Sequence, residues 1–368
     1  MEHADSSLGP DDLLVLEGLR SKGEAWIVGG WVRELISGGG ETDLDIATTL
    51  HPEEVKVLFP RSLMVGARFG TVAVRLEGES ASGKIWEVTT LRSDGSYGDG
   101  RRPDNVEFGT EITADLSRRD FTINGLYFDV KNSQVIDYVG GLEDLKKLQI
   151  NMIGNPSERF EEDPVRMIRA VRFKAKLNAT INSKLNNSIS KNAHLIANVP
   201  PARLYEEVIK LFHNESSLMV FRELSNLGIL KYLFPHTQEN AFISASLINT
   251  SERIKSGNSV TPAFLFAVFL WSAQNKRFNE INKKKMSHIE LMIKASEDVI
   301  RRQVQQVMMP RWLSGRVRDI WLLQYRLENY NPKKSQDILS NPRFRMAYDF
   351  FVLRSESVDP HLRDKAQY

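Results

Sequence analysis

The amino-acid sequence predicts an α+β fold, in which a small mixed-sheet head is followed by an all-α body. In the head, short apolar runs alternate with turns, as they do in small sheets. Beyond about residue 140 the strand signals fade and amphipathic helical patterns replace them. The charge balance changes sign near the same place. At 368 residues the chain is too long for one small core, so more than one domain is expected.

The two regions differ in charge, which indicates that they face different partners. Residues 1–130 carry 13 Lys and Arg against 23 Asp and Glu, whereas residues 131–368 carry 36 against 24. A basic body is what binding to a phosphate backbone requires, although a solvated lysine surface explains the same composition.

The composition excludes several kinds of site. The chain has no cysteine, so disulfides and thiolate metal ligands are ruled out. Its seven histidines form no HxxxH pair, and any metal should therefore be held by oxygen, as Mg²⁺ is. No apolar run reaches the length of a membrane span, and the polar start is unlike a signal peptide. We therefore expect a cytoplasmic protein that makes no membrane contact.

The helical and strand patterns can be placed in order along the chain. In the head, helices are predicted at 11–20, 31–37 and 52–58, and strands at 25–28, 44–47, 62–66, 71–78 and 85–91. In the body, helices are predicted at 163–177, 202–212, 263–271 and 287–307.

A glycine turn joins the first strand to the second helix. Gly29 and Gly30 lie between AWIV and WVRELI, where the N–H groups of a helix N-terminus can approach phosphates closely. Arg33 lies one turn inside the helix. This segment is a candidate site for the phosphates of a nucleotide. A plain strand–turn–helix is the alternative.

Acidic residues lie on two of the predicted strands. Asp43 and Asp45 alternate with Leu44, so their carboxylates share one face of a strand. The two carboxylates repel each other unless a cation neutralises them, so the pattern predicts a site for a divalent metal ion. Two ions there would activate an attacking hydroxyl and stabilise leaving pyrophosphate. Glu87 in IWEVTT offers a third carboxylate. The alternatives are a surface acidic pair and a solvent-facing glutamate.

Four motifs carry a resemblance to a known family: VGGWVRE, TDLDIAT, RRDFTING and EEDPVRMIRAVRF. In this order and spacing they resemble the class II tRNA nucleotidyltransferase and bacterial poly(A) polymerase family over almost the whole chain. One small departure is Glu34, where the family usually has Asp. The resemblance implies a catalytic nucleotidyltransferase head over 1–139, a helical neck with a base-selecting template helix over 140–215, and a helical RNA-binding body over 216–368.

The resemblance also implies roles for residues of the RRD motif. Arg119 would contact phosphate, while Asp120 and Asn124 would meet the ribose and discriminate against deoxynucleotides. Asp120 would stand in the catalytic group with Asp43, Asp45 and Glu87. The alternative for Asp120 is that it caps the helix FTINGL.

A second pair would read the base. Asp163 and Arg166 lie three residues apart on one helix face. A carboxylate accepts from an amino group and a guanidinium donates to a ring acceptor, so the pair would select adenine or cytosine and reject guanine and uracil. The alternative is an N-cap Asp followed by Pro164 and a surface Arg. Arg203 and Glu207, one turn apart, resemble the ion pair that braces this template helix.

The resemblance divides between two products. From about residue 126 the chain is most similar to poly(A) polymerase I, as in NPRFRMAYDFFVLRSES. The head segments VGARFGTVAV and EVTTLRSDGSYGDGRRP look like the CCA-adding form. In that form the loop 92–103 would reshape the pocket for C and then A, through Arg92, Asp94, Asp99 and Arg101. A hybrid origin of head and body is one hypothesis for this division.

The predicted function is template-independent addition of AMP from ATP to RNA 3′ ends, as in a poly(A) polymerase. The resemblance implies Mg²⁺, as two ions, and an RNA 3′ end from mRNA or a small RNA. The alternative is a CCA-adding enzyme that uses CTP and ATP on tRNA. A non-catalytic RNA-binding protein is a remote alternative, because none of the carboxylates is missing. Antibiotic-modifying nucleotidyl transfer shares the Gly and DxD pattern but not EEDPVR.

Overall fold

The computed structural model describes residues 8–38, 43–76, 83–95, 105–281, 286–330 and 338–366. The chain divides into two compact units. Met1–Arg166 and Asn178–Ser188 form the first, and Met167–Leu177 and Ile189–Tyr368 form the second. The finer division into head, neck and body stays a prediction.

The first unit is built on a mixed sheet, as predicted. Its strands are β1 Ala25–Val28, β2 Asp45–Thr48, β3 Leu63–Gly66, β4 Thr71–Val74, β5 Trp86–Thr90, β8 Leu126–Asp129 and β9 Gln134–Asp137. Among the described residues they lie in the order β3-β4-β5-β2-β1-β8-β9, and β2 runs parallel to β5 while the other neighbours are antiparallel. β6 Arg92–Asp94 and β7 Val106–Phe108 form a separate pair.

Helices α1 Pro10–Arg20, α2 Gly30–Ser37 and α3 Pro52–Leu58 contact strands of this sheet. The first unit also contains α4 Ile112–Leu116, α5 Gly141–Lys146 and α6 Pro156–Glu162, and α8 Ser183–Asn192 begins in it. Side chains of adjacent strands form the core, and Ile27, Ile46, Val72 and Val88 are fully buried. The predicted helices and strands of residues 11–91 are confirmed, with ends that move by a few residues.

Two features differ from the prediction. FTINGL does not form a helix: a short 3₁₀ turn at Thr122–Asn124 is followed directly by β8. Gly125 allows this, since a Cβ there would lie within 3.1 Å of Val139, Leu116 and Ile153 side chains. The neck is also not purely helical, because β10 Gln149–Ile150 pairs in parallel with β11 Thr180–Ile181.

The second unit is helical. Helix α7 Val165–Leu177 leads into it, and the others are α9 Pro201–Phe212, α10 Ser217–Asn226, α11 Leu230–Leu233, α12 Ala241–Lys255, α13 Pro262–Ile281, α14 His288–Gln303, α15 Arg311–Glu328, α16 Phe344–Ser357 and α17 Arg363–Ala366. Aromatic rings from Phe212, Phe221 and Phe234 pack on Phe269 of α13 with centroids 4.9–5.7 Å apart. In the part of the chain described, none of the helices has the length and apolar character needed to cross a membrane.

Candidate active site

The glycine turn lies against one of the predicted metal ligands. Strand β1 ends at Val28, and Gly29 takes φ 72° and ψ −129° as the residue before α2. A Cβ on Gly29 would lie 3.1 Å from Oδ2 of Asp45. Glycine is required here both by the backbone conformation and by this close approach. The turn and the acidic strand therefore form one surface.

Gly29→Ala should lower both stability and activity. Its backbone conformation costs an L-residue about 1–3 kcal/mol, and the added methyl group would displace the Asp45 carboxylate. We expect nucleotide incorporation to fall at least about tenfold, because misplaced reacting groups lose effective concentration. Urea unfolding and single-turnover incorporation would measure the two effects.

Gly38→Ala is the matched control. Gly38 also has a positive φ, 70°, but a Cβ there would meet nothing within 4 Å. It should therefore lose stability without losing incorporation at saturating substrate. Equal loss of activity in both variants would contradict a role for the Gly29 turn.

The acids lie as the alternation predicts. Asp43 is exposed and Asp45 is half-buried, whereas Leu44 and Ile46 between and beyond them are buried at 3% and 0% exposure. Across the parallel pair β2–β5, Asp45 stands in register with Glu87. Glu87 is exposed while its neighbours Trp86 and Val88 are buried. Asp45 and Glu87 thus share one face of the sheet, and Asp43 lies two residues before Asp45, just ahead of the start of β2.

The charges of these groups also affect one another. The pKa of Asp45 is raised to about 6, first by burial and then by the negative charge of Glu87, with a smaller contribution from Asp43. Arg119 acts in the opposite direction on the same carboxyl. A carboxylate with a raised pKa beside other carboxylates is electrostatically strained, and a divalent cation would relieve that strain.

The donors fit Mg²⁺ in type but do not complete a site. Within the described residues no group of three or more His, Cys, Asp or Glu side chains converges as a metal site does. Mg²⁺ is commonly held by one or two carboxylates together with substrate phosphates and water. Asp43 and Asp45 could supply the protein oxygens, and a nucleoside triphosphate the others.

The RRD arginines are held by a residue that the sequence did not single out. Asp115 is fully buried and accepts from Arg118 Nε at 2.8 Å and Arg119 Nε at 3.1 Å. Tyr127 donates its hydroxyl to the same carboxylate, and the backbone N–H of Arg92 donates to it at 3.3 Å. Burial raises the pKa of Asp115, but the two arginines outweigh it and lower the pKa overall. The signal in the sequence was the spacing of DLSRR, which places Asp115 one turn before both arginines.

Arg119 therefore has a fixed position. Its Nε also donates to the Tyr127 hydroxyl at 2.8 Å, its Nη1 donates to the Asn124 carbonyl at 3.2 Å, and its guanidinium lies 4.7 Å from the centroid of the Tyr127 ring. Burial alone would lower the pKa of Arg119, but Tyr127 and Asp115 raise it. A permanent positive charge is thus held near Asp45. Its contact with phosphate stays a prediction.

Asp115→Asn should destabilise the fold and weaken nucleotide binding. Removing one partner of a buried ion network costs about 3–5 kcal/mol, because the remaining charges stay buried. We expect a higher KM for the nucleotide, since Arg119 loses its orientation. Because the folded pKa of Asp115 is lowered, its contribution is present at neutral pH and is lost as the pH falls below the ordinary Asp value. The difference in free energy of unfolding between Asp115→Asn and the wild type should therefore become smaller as the pH is lowered.

Asp129→Asn provides the comparison. Asp129 pairs with Arg20 at 2.5 Å, but both side chains are partly exposed. Its loss should cost at most about 1 kcal/mol and leave KM unchanged. A KM effect in Asp129→Asn as large as that in Asp115→Asn would show that the effect is not specific to the RRD segment.

The residues predicted to meet the ribose form a buried network. Asp120 Oδ1 accepts from the Phe121 backbone N–H at 2.8 Å and from Asn124 Nδ2 at 2.9 Å. Arg33 Nη1 donates to Asn124 Oδ1. Asp120, Asn124 and Arg33 are 7%, 8% and 4% exposed. Asp120 thus binds the backbone of the next residue and the Asn124 side chain, whereas the helix FTINGL that it was expected to cap does not form. The ribose contacts, and phosphate binding by Arg33, stay predictions.

The two proposed base-reading residues also have structural partners. Asp163 Oδ1 accepts from the Val165 backbone N–H at 3.1 Å, as an N-cap of α7 does. Arg166 is buried, and its Nη1 donates to the Arg159 carbonyl at 2.8 Å and to Glu162 Oε2 at 2.7 Å. Their contact with a base stays a prediction.

Arginines from α6 and α7 connect this region to the RRD segment. Arg166 Nη2 donates to the Arg118 carbonyl at 3.3 Å, and Arg159 Nη2 donates to the Arg119 carbonyl at 2.8 Å. The start of the template helix is therefore fixed relative to the arginines predicted to bind phosphate. This link was not predicted from sequence.

The remaining predicted site residues belong to the loop 92–103 and to helix α9. Arg92 Nε donates to Asp94 Oδ1 at 2.7 Å within β6, so these two loop residues pair with each other. Asp99 and Arg101 lie outside the described residues. Glu207 is buried on α9 and lies 3.9 Å from Lys210 Nζ. Its ion pair with Arg203 stays a prediction.

Known proteins match this chain in family, sequence and fold. Family models described as "Poly A polymerase head domain", "Probable RNA and SrmB- binding site of polymerase A" and "Polymerase A arginine-rich C-terminus" match residues 25–151, 178–240 and 284–367. Poly(A) polymerase I of Salmonella typhi is 36% identical over 96% of this chain and 80% of its own length.

CCA-adding enzymes are also similar. That of Lactococcus lactis is 38% identical over 73% of this chain and 65% of its own length. The crystal structure of the Bacillus stearothermophilus CCA-adding enzyme in complex with CTP superposes with a TM-score of 0.70, covering 98% of this chain and 82% of that one at 24% identity. This last match shows a common fold.

Proposed function

Because this chain belongs to the class II tRNA nucleotidyltransferase and bacterial poly(A) polymerase family, we propose that it is a poly(A) polymerase that adds AMP from ATP to RNA 3′ ends. The relatives named above are nucleotidyltransferases, and so is this chain. The observation that carries the poly(A) assignment is the extent of the likeness. It covers 96% of the chain for the poly(A) polymerase I of Salmonella typhi and 73% for the CCA-adding enzyme of Lactococcus lactis.

The reaction joins the RNA 3′ oxygen to the α-phosphorus of ATP and releases pyrophosphate. Gly29 lies against Asp45 at the start of α2, and the backbone N–H groups of Gly29 and Gly30 would bind the triphosphate there. Arg119 adds a positive charge that Asp115 and Tyr127 keep in place. Both groups favour the charge that builds up on the leaving pyrophosphate.

Asp43 and Asp45 would hold Mg²⁺, and Glu87 lies in register beside Asp45 to assist. When bound, the ions lower the pKa of the attacking hydroxyl and neutralise charge on the leaving group. The chain's own contribution is to keep Asp45 and Glu87 on one sheet face next to the glycine turn, with Asp43 just before the strand. Asp163 and Arg166 would select adenine through its amino group and adjacent ring nitrogen.

RNA is the partner that suits the basic part of the chain beyond residue 130. A family model for an RNA-binding region matches residues 178–240, and residues 131–368 carry a net charge of +12, from 36 basic and 24 acidic residues. Positive charge binds RNA through its phosphates and makes binding dependent on salt.

CCA addition is the second candidate, favoured by the 38% identity to the Lactococcus lactis enzyme. One experiment separates the two functions. The protein is incubated with Mg²⁺ and either an unstructured RNA or a tRNA that ends before CCA, with ATP alone or ATP and CTP. A long ladder of A from ATP alone supports poly(A) polymerase. Addition that stops after the CCA end, and that requires CTP, would replace the proposal by the alternative.

A further inference from the structure

One tryptophan of the second unit is placed unlike the others. Trp312 is 48% exposed, whereas the remaining five, Trp26, Trp31, Trp86, Trp271 and Trp321, are at most 9% exposed. It lies in the first turn of α15. Burying a tryptophan is strongly favourable, so an exposed one on a rigid element offers a large apolar ring to a partner.

An arginine completes the arrangement. The guanidinium of Arg316, one helical turn along, lies 4.9 Å from the centroid of the Trp312 ring. Among the described residues neither Arg316 nor Arg311 forms an ion pair, whereas Arg318 lies 4.0 Å from Glu297. Arg311 and Arg316 therefore keep positive charge that the protein itself does not neutralise.

The surrounding segment is basic and firmly anchored. Residues 299–318 contain five arginines and no acidic residue. Leu313 and Val317, on the opposite side of the same helix turns, are fully buried. The loop before the helix is fixed by a hydrogen bond from the Met308 N–H to the Pro201 carbonyl at 2.9 Å. Trp312 is thus presented on a rigid base, and little conformational freedom need be lost on binding.

We propose that Trp312 and Arg316 form a stacking platform for an unpaired base of the RNA substrate, with Arg311 binding an adjacent phosphate. An exposed aromatic ring beside uncompensated arginines is the chemistry that binds single-stranded RNA without regard to sequence. A growing tail of A must be held in this way, because it offers no fold to recognise. This inference rests on the proposed function. It adds the surface that holds the RNA upstream of its 3′ end.

Two variants of Trp312 test the stacking. Binding is measured by anisotropy of a labelled oligo(A) of about 12 nucleotides, and in parallel with an oligonucleotide of the same length that lacks bases. Trp312→Leu should weaken oligo(A) binding about tenfold and leave the abasic oligonucleotide unaffected. Trp312→Phe keeps a ring and should retain most of the affinity. In the wild type, oligo(A) should quench the exposed tryptophan fluorescence, and this signal should vanish in Trp312→Phe.

A matched pair of arginine variants separates stacking from charge. Arg316→Ala and Arg318→Ala each remove one positive charge from α15, but only Arg316 lies over the ring. Both should weaken binding of the abasic oligonucleotide, Arg318→Ala less because Glu297 lies 4.0 Å from Arg318. Only Arg316→Ala should also lower the preference for oligo(A) over the abasic oligonucleotide. Equal affinity of Trp312→Leu and wild type for oligo(A) would overturn the platform. The platform would also be overturned if an acidic peptide quenched Trp312 fluorescence and competed with labelled oligo(A) as strongly as unlabelled RNA does.

The rate at which a single AMP is added at saturating RNA distinguishes failure of the platform from failure of the proposed function. Trp312→Leu should add one AMP at the wild-type rate but make shorter tails at limiting RNA. If the wild type adds no AMP at all, the proposed function fails. If both proteins make tails of the same length at limiting RNA, only the platform fails.

Discussion

Asp45→Asn should reduce AMP incorporation about a thousandfold, the largest effect expected of any single substitution. Asparagine has nearly the same size and keeps one oxygen, so the loss isolates the negative charge. That charge stands in register with Glu87 and against the Gly29 turn, where metal and triphosphate would meet. Single-turnover incorporation with saturating ATP and RNA measures the chemical step.

The stability of the same variant shows whether the loss is chemical or structural. Asp45 has a folded pKa of about 6, raised from 3.8. A raised carboxyl pKa means that the charged form opposes folding, and stability is lost as the pH rises through the folded value. Asp45→Asn should therefore unfold at an equal or higher denaturant concentration than wild type at neutral pH without metal. A variant that is both inactive and less stable would indicate a structural role instead.

Asp163→Asn should change which nucleotide is added. An asparagine still caps the helix through its side-chain oxygen, so the hydrogen bond to the Val165 N–H is kept. It also presents N–H donors where the carboxylate offered only acceptors, so the adenine amino group loses its partner. We expect the preference for ATP over GTP, expressed as the ratio of kcat/KM values, to fall about ten- to a hundredfold with little loss of stability.

Asn155→Ala is the control for the capping role. Asn155 caps the preceding helix by accepting from the Ser157 N–H at 3.1 Å, and no base-reading role is predicted for it. Its loss should cost about 1 kcal/mol and leave nucleotide selection intact. Unchanged selection in Asp163→Asn would mean that Asp163 is a cap alone.

The parts of the site that depend on local periodicity could be predicted from sequence. Alternation alone places Asp43 and Asp45 on the face opposite Leu44 and Ile46, and the burial of these residues agrees. The glycine turn was likewise readable, because a positive φ before a helix needs glycine. The alternation and the turn each depend only on the sequence of one short segment and on which of its sides faces solvent.

Pairing between distant segments could not be predicted in this way. The register of Asp45 with Glu87 depends on a parallel crossover between β2 and β5. FTINGL was interpreted as a helix and no strand was predicted around Tyr127, but a 3₁₀ turn and Gly125 lead directly into strand β8 there. Without that strand, Tyr127 and its bond to Asp115 had no place in the site.

The hydrogen-bond partners of buried arginines were the hardest feature to predict from the sequence. Arg33 and Arg166 were assigned to phosphate and base because a guanidinium suits both, yet in the structure they also bind Asn124 and backbone carbonyls. A charged group that is buried must find internal acceptors, and which acceptors it finds is decided by the tertiary fold.

Equilibrium dialysis of Mn²⁺ against the protein in the presence of a non-hydrolysable ATP analogue tests the carboxylate site most directly. The wild type should retain Mn²⁺ when the nucleotide is present, because Asp43, Asp45 and the triphosphate together provide the oxygens. The double variant Asp43→Asn, Asp45→Asn should retain none above the level of the free analogue. Undiminished Mn²⁺ binding by the double variant would contradict the assignment of the metal to these two carboxylates.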